Sequence, residues 1–301
     1  MRSVLSAVTL GVLAASLAVA QGLTQWAQEH WAALASGDAA RVAAQFAPTG
    51  AAAFLGGPWH GFYYGQEAIE ALWTQVFSAW AVREAYVRDE PKVIDEAGLV
   101  YAFLELVLSD GGVITLVNYI KYGDAGEILA ADYVVVGGAE PLGPVLDGVR
   151  NAGEYTHEVL DPATNMTFAW QNGTVVLYGF LHSPGMGYAS VGFNTSPGKP
   201  GANLLMFAVL PTGELVYEDH VGVTKVIHRR DSREDILMAA GIRDEKNVYV
   251  EFVIPLDSND PEDVPLIPGG TYWVLFARQD FGTSFTAKHS SYGLAQITLD
   301  R

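Results

Sequence analysis

The chain changes its hydrophobic rhythm midway through its first half. After Gln21, the stretch LTQWAQEHWAALASGDAARVAAQF sets Leu23, Trp26, His30 (or Trp31) and Leu34 at three- and four-residue steps, the period of an amphipathic helix. A second helix restarts after Gly37 with Asp38 as its cap. Residues 66–80 place Ile69, Leu72, Trp73, Val76, Phe77 and Trp80 on one stripe and predict a third. The period then becomes two. Residues 85–94, 99–108, 113–122 and 128–136 predict four strands, parted by the turns DEAG, SDGG and GDAGE. Helices followed by an antiparallel meander read as an α+β domain over residues 22–137.

Residues 138–150, GAEPLGPVLDGVR, are punctuated by Gly and Pro and predict a linker. Beyond it the pattern is almost wholly strand-like, at 166–170, 174–182, 188–193, 204–209, 215–220, 236–242, 247–255, 271–278 and 294–299. Short strands at this spacing predict a β-sandwich over residues 151–301. One polar loop, NTSPGKPGAN, exceeds what a hairpin needs, and Lys199 sits near its tip.

Composition narrows the partners. Of 301 residues half are hydrophobic and 17% charged, so the chain can bury real cores. A formal net charge of −17 argues against nucleic acid and anionic membrane surfaces. Arg2, the apolar run 4–19 and the small-x-small ending Ala18-Val19-Ala20 read as a signal peptide, residues 1–20, cleaved after Ala20. The expected location is therefore secreted or periplasmic, with no membrane span in the mature protein. There is no cysteine, which removes thiolate catalysis and Cys-ligated metals.

Two segments of the first half, FYYGQEAIEALW (62–73) and YIKYGDAGEILAADYVV (119–135), resemble the SnoaL-like branch of the NTF2-like superfamily. That resemblance implies a cone-shaped α+β barrel around a pocket, in a family that includes isomerases, dehydratases and pure binding modules. The second half resembles a DOMON domain, through MTFAWQNGTVVLYGF, GYASVGFN, KPGANLLMFAV, the stretch 251–278 and KHSSYGLAQITL. In haem-binding members a Met at a loop tip and a His before the last strand hold haem b. Here His289 falls on the His position and Lys199 on the Met position, with Met186 and Met206 the nearest thioethers and Phe193 in the matching strand. The implied cofactor is haem b. A ligand other than haem, such as a sugar or a quinone-like aromatic, or a structural or docking role, fits the same residues.

Other chemistry is sparser. Asp132, Glu105, Tyr101 and Tyr133 interrupt apolar strands; a carboxylate in an apolar cone becomes a general base, although satisfied polar residues give the same pattern. His182, His220 and His228 lack zinc spacing, although His220 and His228 could approach across a hairpin. LDSNDPED (256–263) has calcium-like oxygens but no EF-hand spacing. No metal site is expected. Both faces of 99–108 are apolar, which predicts a homodimer or tight docking between the domains. The favoured function is binding of a small apolar or aromatic ligand; the alternative is an isomerase- or dehydratase-like enzyme in the first domain.

Overall fold

Local chemistry decides where the helices stop. In the computed structural model, which describes residues 2–138 and 143–301 with side chains from residue 19 onward, α1 (Arg2–Ser36) ends at Gly37, whose φ of +67° lies in the left-handed region. Asp38 then accepts from the Arg41 N–H at 3.1 Å and caps α2 (Ala39–Ala43). The chain divides into compact units 1–143 and 144–301. Most side chains of the expected signal peptide, and residues 139–142 of the expected linker, lie outside the described residues. Among the described residues no helix is long and apolar enough to cross a membrane, as expected.

In the first unit the strands are β1 (Phe46–Leu55), β2 (Gly61–Tyr64), β3 (Val82–Val87), β4 (Lys92–Ile94), β5 (Leu99–Leu108), β6 (Val113–Tyr122) and β7 (Ile128–Gly137), with α3 (Gly65–Trp80) between β2 and β3. Their order is β2-β1-β7-β6-β5-β3, and β4 also pairs with β5. The β1–β7 pair is parallel and the others antiparallel. Leu23, Ala27, Trp31 and Leu34 of α1 join Ile69, Leu72, Trp73 and Val76 of α3 in covering one face, where Val100, Ala102, Leu104 and Leu106 of β5 point. The opposite face of β5 is buried at Leu99 and Tyr101 as well.

The expected α+β cone of the NTF2-like kind is not what forms. The protein is mostly β, with 46% of residues in strands, and three α-helices against three sheets among the described residues. The Ala-rich segment after α2 reads as more helix, yet Pro48 and Gly50 interrupt it and β1 begins at Phe46. A Cβ on Gly50 would lie 2.9 Å from the Ile128 carbonyl oxygen, so only glycine permits this approach to β7. Residues 85–94, expected as one strand, are split between β3 and β4.

The second unit fits the expected all-β sandwich, loosely. Its strands are β8 (His157–Asp161), β9 (Met166–Asn172), β10 (Val176–Pro184), β11 (Ala189–Asn194), β12 (Asn203–Val209), β13 (Leu215–Gly222), β14 (His228–Arg230), β15 (Met238–Arg243), β16 (Asn247–Pro255), β17 (Thr271–Arg278) and β18 (Ser291–Thr298). They form a five-stranded sheet, β15-β16-β10-β9-β8, and a six-stranded sheet, β14-β13-β12-β11-β17-β18. Between them Phe168, Phe207 and Phe252 stack at centroid distances of 6.2 and 5.1 Å. The Phe252 ring lies over Gly179, where a Cβ would come within 2.3 Å of it.

Phe252 is fully buried, so Phe252→Ala should lower stability by about 3–5 kcal/mol. Gly179→Ala should lower it by about 1–3 kcal/mol through overpacking. Denaturant unfolding of the full chain checks both, and a neutral result at either position contradicts the packing described.

Candidate functional site

Period two along β12 and β13 creates the site. Leu205, Phe207 and Val209 of β12 point between the sheets, so Leu204, Met206 and Ala208 point outward. Their cross-strand partners on β13 are His220, Glu218 and Val216. Met206 and Ala208 pack with Tyr188, and Phe285 and Ala287 lie against them. The segment after β17 therefore forms a flap over this outer face. Along 284–290 Phe285, Ala287 and His289 are half-buried and the residues between them are exposed. The Tyr188 hydroxyl pins the flap by donating to the Ala287 carbonyl at 3.0 Å.

The long polar loop closes on the same face. The Asn194 side-chain amide, buried, donates to the carbonyls of Gly198 and Pro200 at 2.8 and 3.1 Å. The Gly201 N–H donates to the Gly222 carbonyl at 2.7 Å, which seats Lys199 against the end of β13. Three imidazoles and this ammonium group share one neighbourhood. His228 Nδ1 lies 2.9 Å from His220 Nδ1, and His220 Nε2 lies 2.8 Å from a Glu218 carboxylate oxygen. Burial first, and then the charges of His220, Lys199 and His289, hold His228 down at about 4. Burial and Lys199 likewise lower His289, and burial lowers Lys199. At neutral pH His228 and His289 are neutral donors of a lone pair. The His289 ring also lies 5.2 Å from that of Tyr292.

Of the residues expected to hold a cofactor, Lys199 and His289 lie near enough for the Lys199 charge to act on the imidazole. Phe193 does not join them, because it belongs to the core between the sheets, edge-on to Phe168. Met186 is tied by its backbone to the Asp280 carbonyl and stands outside the apolar group around Met206. His220 and His228 approach across the β13–β14 hairpin as the sequence allows, diagonally, since the register sets His228 opposite Gly222 and His220 opposite Arg230.

In the first unit the expected catalytic residues are dispersed. Tyr133 faces the helices, where its hydroxyl lies 2.8 Å from His30 Nε2. Asp132 and Tyr101 point to the opposite face, with Tyr119 between them across β6 and its ring 5.5 Å from that of Tyr101. Glu105 lies four residues from Tyr101 along β5, about 13 Å away. These four do not converge on one point. A network that sequence reading left out lies behind them. Gln45 Oε1 accepts from His30 Nδ1 at 2.7 Å, which leaves Nε2 to accept from Tyr133. Trp31 Nε1 donates to Asn118 Oδ1 at 2.9 Å, and Asn118 donates to the Asp132 carbonyl at 3.2 Å. Gln45 also lines a cleft of about 290 Å³ with Trp26, Glu29, Phe46, Tyr122 and Glu127.

A separate group of carboxylates closes one end of the sandwich. Asp219 of β13, Asp235 before β15 and Asp263 after β16 bring oxygens within 4.8 Å of one another. Burial, and then neighbouring carboxylates, push Asp219 up to about 9 and Asp263 up to about 7.

No protein-family model matches the chain, and no curated protein matches it. Among solved structures, it is similar to a protein of unknown function with cystatin-like fold from Methylobium petroleophilum PM1, at 14% identity and a TM-score of 0.35. That match covers 44% of this chain and 81% of the other.

His30 supplies a pH prediction. Burial lowers it from 6.5 to about 4, so between those values the unfolded chain binds more protons than the folded one. Its contribution, up to about 3 kcal/mol, is complete above pH 6.5 and lost as pH falls towards 4. Five of the seven tryptophans lie in the first unit, so their emission follows its unfolding. In His30→Phe the urea midpoint should change less steeply between pH 4 and 6.5 than in the native chain. Equal slopes would contradict the buried neutral imidazole.

Proposed function

We propose that the protein is an exported, non-catalytic binding protein that holds a flat apolar ligand on the outer face of the six-stranded sheet, with b-type haem the specific version. One observation carries this reading: Lys199, His220, His228 and His289, from four separate segments, gather beside the apolar group of Met206, Tyr188 and Phe285. The donor set fits the cofactor. Haem iron takes neutral imidazole, and His228 and His289 are held neutral on a largely apolar surface. His289, with His228 or Lys199, would hold the haem iron. Haem so held supplies one-electron transfer. The chain's own part is to exclude water with Phe285 and Ala287 and to keep the imidazoles unprotonated.

The DOMON resemblance supports the same reading, because it places His289 and Lys199 at the ligand positions of that family. In the first unit, the dispersal of Asp132, Glu105, Tyr101 and Tyr133 weighs against an enzyme. Self-association through the first unit's sheet is a separate question, which sedimentation answers.

Protein produced with haem supply should show a Soret band. His289→Ala should lose it, or bind added haemin at least about tenfold more weakly. Native protein that stays colourless and takes up no haemin overturns the haem version.

A further inference from the structure

Asp219 has no compensating partner. It is 1% exposed, it points into the space between the two sheets, and both of its carboxylate oxygens lack a hydrogen-bond partner. Among the described residues no Lys, Arg or His forms an ion pair with it. Placing a carboxylate there is strongly unfavourable unless something supplies positive charge or protons.

The segments around it supply more negative charge instead. The Asp231 N–H donates to the Asp219 carbonyl at 2.8 Å, which folds the β14–β15 loop over this strand. That loop brings Asp235. The loop after β16 brings Asp263, whose carboxylate accepts from the Ser258 hydroxyl at 2.6 Å. Arg233 is the cation at hand, and it is committed to Asp260 at 3.2 Å and Asp235 at 3.6 Å. It therefore leaves Asp219 and Asp263 uncompensated.

We propose that Asp219, Asp235 and Asp263 bind one hard divalent cation, with calcium its occupant. The three residues offer oxygen alone, without imidazole or sulfur, which is the preference of calcium and magnesium over the transition metals. Their oxygens lie within 4.8 Å of one another, inside the roughly 5 Å that separates opposite oxygens of a calcium shell. The ligands come from a strand and two loops rather than from one rigid element, and Asp231 and Glu234 add negative charge around them. This suits the larger, variable shell of calcium better than the strict octahedron of magnesium. The ion would join β13 of one sheet to the loop that leaves β16 of the other. It would thus staple the open end of a sandwich that has no disulfide.

The inference uses residues other than those of the haem reading and is tested without haem. Chelator-treated full-length chain should take up one Ca2+ per molecule in equilibrium dialysis, and added Ca2+ should raise its thermal midpoint above the value in chelator. Asp219→Asn and Asp263→Asn should each weaken Ca2+ uptake by at least about tenfold and abolish the thermal shift. Asp89→Asn, at an exposed carboxylate of the first unit, should bind as the native chain does. If Asp219→Asn does not fold, Asp263→Asn decides alone. No uptake at millimolar Ca2+, or uptake undiminished in the folded nest variants, overturns the proposal. Tighter binding of Mg2+ than of Ca2+ overturns the choice of ion.

Discussion

The second unit depends on one constraint: its central strands are covered on both faces. Every residue of β11 and β12 is buried. A strand alternates its side chains, so consecutive residues meet two different environments, and neither of them is water. Asp219 and His220 show the result. They are neighbours in sequence, yet the carboxylate enters the space between the sheets and the imidazole lies under the flap with His228. A polar group in such a strand must find its partner within the protein. His220 finds Glu218 and His228; Asp219 finds other carboxylates.

The same rule explains why ionisable groups here depart from their ordinary behaviour. His30 and His228 are held near 4 chiefly because burial disfavours the charged ring. Glu251, fully buried on β16, is raised to about 7 by burial, although it accepts from the Asp147 and Gly148 N–H groups and the Tyr155 hydroxyl at 2.8–2.9 Å. Those three bonds hold the segment that opens the second unit. Glu251 is thus a structural carboxylate with all of its work accounted for. Asp219, at comparable burial, is not, and the contrast is what singles out the acidic nest.

Much of the strand plan was legible. The stretches 99–108, 113–122, 247–255 and 271–278 match β5, β6, β16 and β17 residue for residue, because each is a period-two run closed by turn residues. β1 was missed because alanines carry no strand signal, and its pairing with β7 depends on residues some eighty positions away. β8 and β14 were missed because HEVLD and HRR are too polar or too short to show a period. In the first unit β1 and β2 show no period-two pattern while the helical stripes do, so the sequence reads as α+β where the structure is mostly β. At the outer face of the six-stranded sheet, strict alternation would have excluded Phe193, since Val191 and Ala189 share its inward face. The nearness of Lys199 to His289 came from family resemblance; nothing in their spacing implies it. Of the acidic nest, only the carboxylate run 256–263 was visible, because Asp219 and Asp235 reach it through the packing of two sheets.

The parallel β1–β7 pair has a consequence for how the chain is made. β1 is complete by residue 55, but the strand it lies against begins at residue 128. As the polypeptide emerges from the ribosome, Phe54 and its neighbours wait with one backbone edge unpaired until most of the first unit has been synthesised. A hairpin with β2, and α3 with Trp73 and Trp80 against Phe54, cover this stretch meanwhile. The free edge of β1 is therefore closed only once β7 has been made, which places completion of this sheet late in synthesis.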